Sequence, residues 1–174
     1  DIIAGISLFR PGPMEQIPRY IRNKNNPDKI TYKHPLLEPI LNVTYGCIIY
    51  QEQVLQIVQS LAGYPLGRAD LLRRAMSKKK HDVMEKERQF FIYGQTDEDG
   101  NVILDGAIKR GVSESVAASI FDEIQDFASY AFNKSHAAAY AIIAYQTAYL
   151  KYYYTPEYMA ALLSSMMSNT TKTV

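Results

Sequence analysis

The sequence predicts an all-α protein: an irregular multi-helix domain with a loop-rich N-terminal third and at most a small β-hairpin. Three observations predict it. Apolar residues recur at spacings of three and four from Tyr50 onward, the period of one helix face. Residues 137–145 are all Ala, Tyr or Ile, within a segment of helical length. Before Tyr50 the chain is punctuated by Pro27, Pro35 and Pro39, which leave room only for short elements.

The elements follow in order. The chain opens on Asp1-Ile-Ile-Ala4, with no initiator Met and no capping or turn signal, and reads as a piece of a longer polypeptide. Arg10-Pro-Gly-Pro13 is a rigid turn, and Pro13 suits the first position of a helix expected from Met14 to Asn23, with Pro18 tolerated near its first turn. Tyr32-Lys-His34 precedes a short helix from Pro35 to Leu41. His34 has no second His or acid at metal-ligand spacing, so it reads as a surface or capping histidine. Tyr45 to Ile49 is the best candidate strand.

Tyr50 to Ala62 sets Val54, Val58 and Leu61 on one helix face, with Leu55 and Ala62 beside them. Gly63-Tyr-Pro-Leu-Gly67 ends that helix and starts the next. Asp82 to Tyr93 is a further helix, with Val83, Met84, Phe90 and Phe91 apolar and Glu85 to Arg88 exposed. Asp97-Glu-Asp-Gly-Asn101 is a turn, and Val102-Ile-Leu104 pairs with the chain before it as a hairpin. The turn lacks the alternating acids and closing glutamate of a calcium loop.

Ser113 caps a helix running to Ala128, with Val116, Ile120, Ile124 and Phe127 on its apolar face. The periodicity breaks over Phe127–His136. It resumes in a helix from Lys134 to Tyr154 that is apolar nearly all round and is expected to be the most buried element. Gln146, Thr147 and Lys151 argue against a membrane span. Pro156 opens a last helix through Met159, Leu162, Leu163 and Met166. Eight of the fourteen tyrosines lie between Tyr130 and Tyr158, and their helical spacing reads as core and helix packing. The whole, 1–174, is expected to be one domain, with a lead-in over 1–50, a basic-helix part over 50–95 and a helical core over 107–168.

Composition narrows the function. Hydrophobic residues make up 47% of the 174, ample for a core, and the net charge is only +1, so any basic feature is local. The single cysteine, Cys47, lies in an apolar run with no activating base beside it and reads as a core thiol in a reducing cytosol. The sequence carries no signal peptide and no apolar run of about 18 residues.

One stretch concentrates charge. Arg68–Lys80 holds six of the nineteen Lys and Arg residues against one acid, Asp70. Leu71, Leu72, Ala75 and Met76 form an apolar side; Arg73, Ser77 and Lys80 align on another, flanked by Arg74 and Lys78. Such a stripe suits phosphate, since Arg offers a planar fork and Lys a point charge. A solvated helix face is the competing reading. Asn133-Lys-Ser-His136 is a second candidate. Asn133 is a good N-cap, the first turn of a helix leaves backbone N–H groups open, and Lys134, Ser135 and His136 add side-chain donors. Ordinary capping and a core histidine are the alternatives here.

Other chemistries leave no trace. There is no GxxxxGK[ST], CxxC, GxSxG or HExxH, and no close pair of aspartates on a candidate strand of the kind two-metal phosphoryl transfer uses.

Several motifs then carry a resemblance. Leu8-Phe-Arg-Pro-Gly-Pro13, Thr44-Tyr-Gly-Cys-Ile-Ile-Tyr-Gln-Glu-Gln-Val54, Leu72-Arg-Arg-Ala-Met-Ser-Lys-Lys-Lys80 and Phe132-Asn-Lys-Ser-His-Ala-Ala-Ala-Tyr-Ala141 resemble the C-family bacterial replicative DNA polymerases, the DNA polymerase III alpha subunit family. Tyr145-Gln-Thr-Ala-Tyr-Leu-Lys151 and Pro156–Leu163 are similar too, so the resemblance covers nearly the whole chain in one order. It implies the fingers region, a largely helical unit that closes over the incoming nucleotide. It associates Arg73 and Arg74 with the triphosphate and places His136 in the same cleft. It departs from the pattern at Ser77, where many relatives have Gly, and in a longer 95–106 segment.

The expectations follow from that resemblance. The dNTP phosphates are assigned to Arg73, Arg74, Lys78, Asn133, Lys134, Ser135 and His136, with Arg68, Lys79, Lys80 and Tyr130 as DNA-backbone or accessory contacts. The implied partners are dNTP, primer–template DNA, the palm and thumb of the same chain and, through other regions, replisome subunits, in the cytoplasm and with no membrane. The implied Mg²⁺ sits on palm aspartates absent from this segment, so the piece alone binds no cofactor, holds no catalytic residue and does not extend a primer. A non-catalytic helical nucleic-acid-binding module and a protein-interaction bundle are the alternatives.

Overall fold

Helix formation begins earlier than the sequence pattern signals. The computed structural model describes residues 1–77, 81–128, 130 and 132–167. In it α1 (Ile2–Leu8) has no side-chain cap. Packing holds it instead: Ala4 and Leu8 are buried in a cluster with Tyr20, Cys47, Ile49 and Tyr50. Proline then sets the starts. A 3₁₀ turn at Pro13–Gln16 leads into α2 (Ile17–Asn25), whose Pro18 stands in the first turn, where no N–H is needed. A second 3₁₀ turn at Pro35–Leu37 leads into α3 (Glu38–Leu41). His34 is a cap, its Nδ1 accepting the Leu36 N–H at 3.3 Å.

The expected strand at 45–49 does not form. Asn42–Thr44 is a 3₁₀ turn, Tyr45 is left-handed at φ 53°, and residues 47–49 belong to no helix or strand. Their side chains still alternate. Cys47 and Ile49 enter the α1 cluster, while Ile48 enters the larger core. A buried glutamine takes the place of a partner strand. Gln53 Oε1 accepts the Ile49 N–H at 2.9 Å and the Tyr50 N–H at 3.0 Å, and its Nε2 donates to Thr44 Oγ1 at 2.7 Å. Beyond it, Tyr50 makes a single parallel bridge with Phe132.

The larger core lies among α4 (Gln51–Ala62), α5 (Leu66–Ser77), α6 (His81–Tyr93) and α7 (Glu114–Ala128). Val54, Val58 and Leu61 of α4 are buried as the spacing requires, and Phe91 of α6 meets Phe121 of α7 at 5.4 Å between ring centroids. Between α6 and α7 the short strands β1 (Gln95–Thr96) and β2 (Val102–Leu104) pair antiparallel, the hairpin the sequence predicts. Its exit is tight. Gly106 stands at φ +77°, and a Cβ there would lie 2.2 Å from the Gly94 nitrogen, so only glycine fits. That closeness lets the Gly106 N–H reach Ala62 O at 3.1 Å and the Ala107 N–H reach Phe91 O at 2.8 Å, tying the ends of α4 and α6 together.

The last helices correct the expectation of a buried centre. Of the twenty residues of α8 (Lys134–Tyr153), Ala137 and Ala141 are the buried ones. Their small side chains let α1 lie against α8, and α9 (Thr155–Met166) packs on its far end. Elsewhere the helix is open, with Tyr145 62% and Ile142 60% exposed. The tyrosines of this region are likewise not core. Tyr140, Tyr145, Tyr149, Tyr152, Tyr153 and Tyr154 are all exposed, several stacked on one another along the helix. A helix apolar all round needs neighbours on every side, and among the described residues α1 and α9 supply most of those it has. No helix of the described residues is long and apolar enough to cross a membrane.

Candidate functional site

The basic stripe of α5 is not unbalanced. Asp70, one turn before the arginine pair, receives both guanidiniums. Its Oδ1 accepts from Arg73 Nε at 2.9 Å and pairs with Arg73 Nη2 at 2.9 Å, while its Oδ2 accepts from Arg74 Nε at 2.7 Å. The spacings of three and four place all three side chains on one helix face. The Arg73 hydrogen bond, joined by that of Arg74, holds the Asp70 carboxyl below the usual carboxylate range.

The two arginines differ in access. Arg74 is 66% exposed, but Arg73 is only 19% exposed, because its Nη1 also donates to Gln51 Oε1 of α4 at 3.3 Å. The basic stripe is therefore open at Arg74 and largely covered at Arg73. Arg68 faces a different neighbour. It pairs with Glu87 of α6 at 3.3 Å, donates to Gln95 at 2.6 Å and lies over the rings of Tyr64 and Phe90. The side chain of Ser77, and Lys78, Lys79 and Lys80, lie outside the described residues.

The start of α8 is capped twice. Asn133 Oδ1 accepts the His136 N–H at 2.9 Å, as its cap position predicts. The Lys134 N–H lies 3.2 Å from both carboxylate oxygens of Glu52, in the first turn of α4. A protein carboxylate thus already stands where a helix start favours an anion. Lys134 Nζ lies 5.4 Å from the Tyr50 ring centre, and Ser135 is exposed. His136 is exposed rather than in the core, its ring between Phe132 and Tyr140 at 5.4 and 4.6 Å.

The segment leading into α8 rests on the Arg10 turn. Arg10 Nη2 donates to the Tyr130 carbonyl at 2.6 Å, and its guanidinium lies 4.4 Å from the Phe132 ring centre. Gly12, at φ +95°, lets Tyr130 come so close that a Cβ would meet its ring at 2.7 Å. Tyr130 therefore packs on this turn as well as preceding the cap.

The first turn of α4 brings the two elements together. Gln51 accepts from Arg73 through its side chain and donates its own N–H to Phe132 O at 3.0 Å, while Glu52 caps Lys134. Gln51 and Glu52 thus meet Arg73, the Phe132 carbonyl and the Lys134 N–H, whereas Arg68 turns to Glu87 and Gln95. Gln51, Glu52 and Arg10 were not singled out from the sequence as site residues. Their signal lay in the Tyr50-Gln-Glu-Gln53 and Arg10-Pro-Gly-Pro13 motifs. Among the described residues no three His, Cys, Asp or Glu side chains come together in a way that could hold a metal ion.

A helical domain with this arrangement falls into a known class. The profile of the bacterial DNA polymerase III alpha subunit finger domain matches residues 1–99, and the chain belongs to that family. Among curated relatives, the DNA polymerase III subunit alpha of Chlamydia trachomatis is 51% identical over 164 residues, covering 94% of this chain and 12% of the relative. That of Thermus aquaticus is 50% identical over 169 residues, covering 94% and 13%. That of Pasteurella multocida is 49% identical over 181 residues, covering 100% and 15%. The chain thus spans roughly an eighth of the length of the relatives it matches.

Proposed function

We propose that residues 1–174 act as one fingers-type unit of a bacterial replicative DNA polymerase in the cytoplasm, holding the triphosphate of the incoming dNTP over the primer–template. The observation that supports this reading is the junction at Gln51 and Glu52, where Gln51 accepts from Arg73 of α5 and donates to Phe132, and Glu52 caps the first turn of α8. Two cation-rich elements that are distant in sequence then face one ligand. The exposed Arg74 guanidinium supplies the outward fork. Lys134, Ser135 and His136 line the start of α8.

Their role in nucleotidyl transfer is charge stabilisation. As the bond to the α-phosphorus breaks, negative charge grows on the pyrophosphate, and fixed cations lower that state more than the ground state. In this reading the palm of the longer polymerase holds the Mg²⁺ and the primer 3′-hydroxyl, and thumb and replisome partners contact other regions.

The test is single-nucleotide incorporation by a full-length DNA polymerase III alpha subunit carrying this segment. Arg74→Ala is expected to lower kcat/KM by about ten- to a hundredfold, the span of one charge-assisted phosphate contact, with the thermal melt unchanged. Wild-type kinetics in both Arg73→Ala and Arg74→Ala would remove the arginine pair from the mechanism. Loss of DNA affinity with a reduced salt slope and unchanged dNTP dependence would favour a nucleic-acid-binding surface instead.

A further inference from the structure

We propose that Asp70 is the positioning residue of the triphosphate site, the group that fixes which edges of Arg73 and Arg74 point outward. This rests on the reading of the arginine pair just given. An arginine on a helix surface samples many rotamers, and holding two of them ready for one ligand costs conformational entropy on binding. Asp70 removes much of that freedom beforehand. Each carboxylate oxygen takes the Nε of a different guanidinium, at 2.9 Å for Arg73 and 2.7 Å for Arg74.

The consequence differs for the two partners. Arg74 is bound to Asp70 through Nε, and its side chain is 66% exposed, so the Nη edge of its fork is turned toward solvent. Arg73 is bound to Asp70 through Nε and Nη2 and to Gln51 through Nη1, and only 19% of its side chain is exposed. Arg74 is therefore the phosphate ligand of the pair. Arg73 anchors the shared carboxylate to the first turn of α4, and so keeps α5 in register with the start of α8. Asp70 need not leave when a phosphate arrives, because it occupies the inner edges and the ligand uses the outer one. As an ionised carboxylate it is an acceptor throughout the neutral range, and the Arg73 hydrogen bond first of all lowers its proton affinity further.

Asp70→Asn tests this in the full-length polymerase. Asparagine keeps the shape and one carbonyl acceptor, but turns an N–H₂ group toward one guanidinium. The expected result is a fall in kcat/KM for the correct dNTP of about tenfold, with an unchanged melting temperature and partial recovery in Asp70→Glu. On an Arg74→Ala background the same substitution is expected to change kcat/KM by less than about twofold, because there is no fork left to position. Asp70→Asn at wild-type rate, while Arg74→Ala is slow, would overturn the positioning role and leave the proposed function standing. An equal loss on both backgrounds, or a loss that tracks the melting temperature, would also overturn it and make the carboxylate a helix brace. Wild-type kinetics in Arg73→Ala, Arg74→Ala and Asp70→Asn alike would instead remove the proposed function itself.

Discussion

Arg68 carries a prediction that separates architecture from nucleic-acid contact within one basic helix. Its side chain is 20% exposed and its partner Glu87 18% exposed, so the pair is shielded from solvent more than an ordinary surface bridge. Truncation to Ala removes the Glu87 contact at 3.3 Å, the Gln95 hydrogen bond at 2.6 Å and the stacking on Tyr64 and Phe90. It also leaves the Glu87 carboxylate with the Tyr64 hydroxyl, at 2.8 Å, as the remaining donor of this cluster. Burial first, and then Glu87, raise the Tyr64 phenol well above its ordinary value, so it stays an O–H donor and cannot replace the lost cation. A charge-assisted hydrogen bond contributes about 1.5–3 kcal/mol, and a partly desolvated cation over a ring about 0.5–1. A combined loss of about 3 kcal/mol corresponds to a fall in Tm of about 6–12 °C for a domain of this size. Arg68→Lys keeps the charge without the planar fork and is expected to recover less than half of the loss. The assay is a thermal melt of the chain beside DNA binding measured across a salt series. An unchanged Tm in Arg68→Ala, with weaker DNA binding and a smaller salt slope, would refute the brace and make Arg68 a phosphate contact.

Two further outcomes follow from the packing. Phe121→Ala removes a fully buried ring that touches Phe91 and is expected to cost about 3–5 kcal/mol, read as a lower urea midpoint at constant m-value; a loss under about 1 kcal/mol would mean the α6–α7 contact is not a core contact. Glu123 joins Lys33 at 2.7 Å and Arg19 at 3.0 Å; burial alone would raise its carboxyl, but those hydrogen bonds outweigh burial and hold it low. With the folded value below the unfolded one, its contribution is present above the ordinary glutamate value of about 4.3 and is lost as pH falls through the folded value. Glu123→Gln should therefore flatten the acid side of the stability curve, and an identical acid limb in wild type and variant would refute that role.

The site was legible as residue types and illegible as a place. Sequence alone marked Arg73, Arg74 and Asn133–His136, because cation density and a cap followed by donors are local properties. It also placed Asp70 in the stretch, yet counted it as one acid against six bases. Helix geometry makes that one acid serve two arginines, and spacing could have shown it. What spacing could not show was Gln51 and Glu52 lying between the two elements, since their partners stand 22 and 82 residues away. The inward contacts of Arg68, expected as a DNA-backbone or accessory residue, were hidden for a related reason. A guanidinium with apolar and acidic neighbours on the next helix turns inward, and the basic stretch by itself does not include those neighbours.

The sequence by itself determined the helices of the middle and end, the hairpin and the proline-set starts, because each depends on periodicity, capping or turn chemistry within a few residues. Only the tertiary structure decided three things. The 45–49 run is not a strand, because it opens on a left-handed turn and the buried Gln53 side chain takes the Ile49 and Tyr50 N–H groups that a partner strand would receive. The α1 segment is helical, because a cluster built from Tyr20, Cys47, Ile49 and Tyr50 receives its apolar face. The α8 helix lies largely open, because an apolar circumference states a demand for neighbours and not which segments meet it, and among the described residues α1 and α9 cover only part of it.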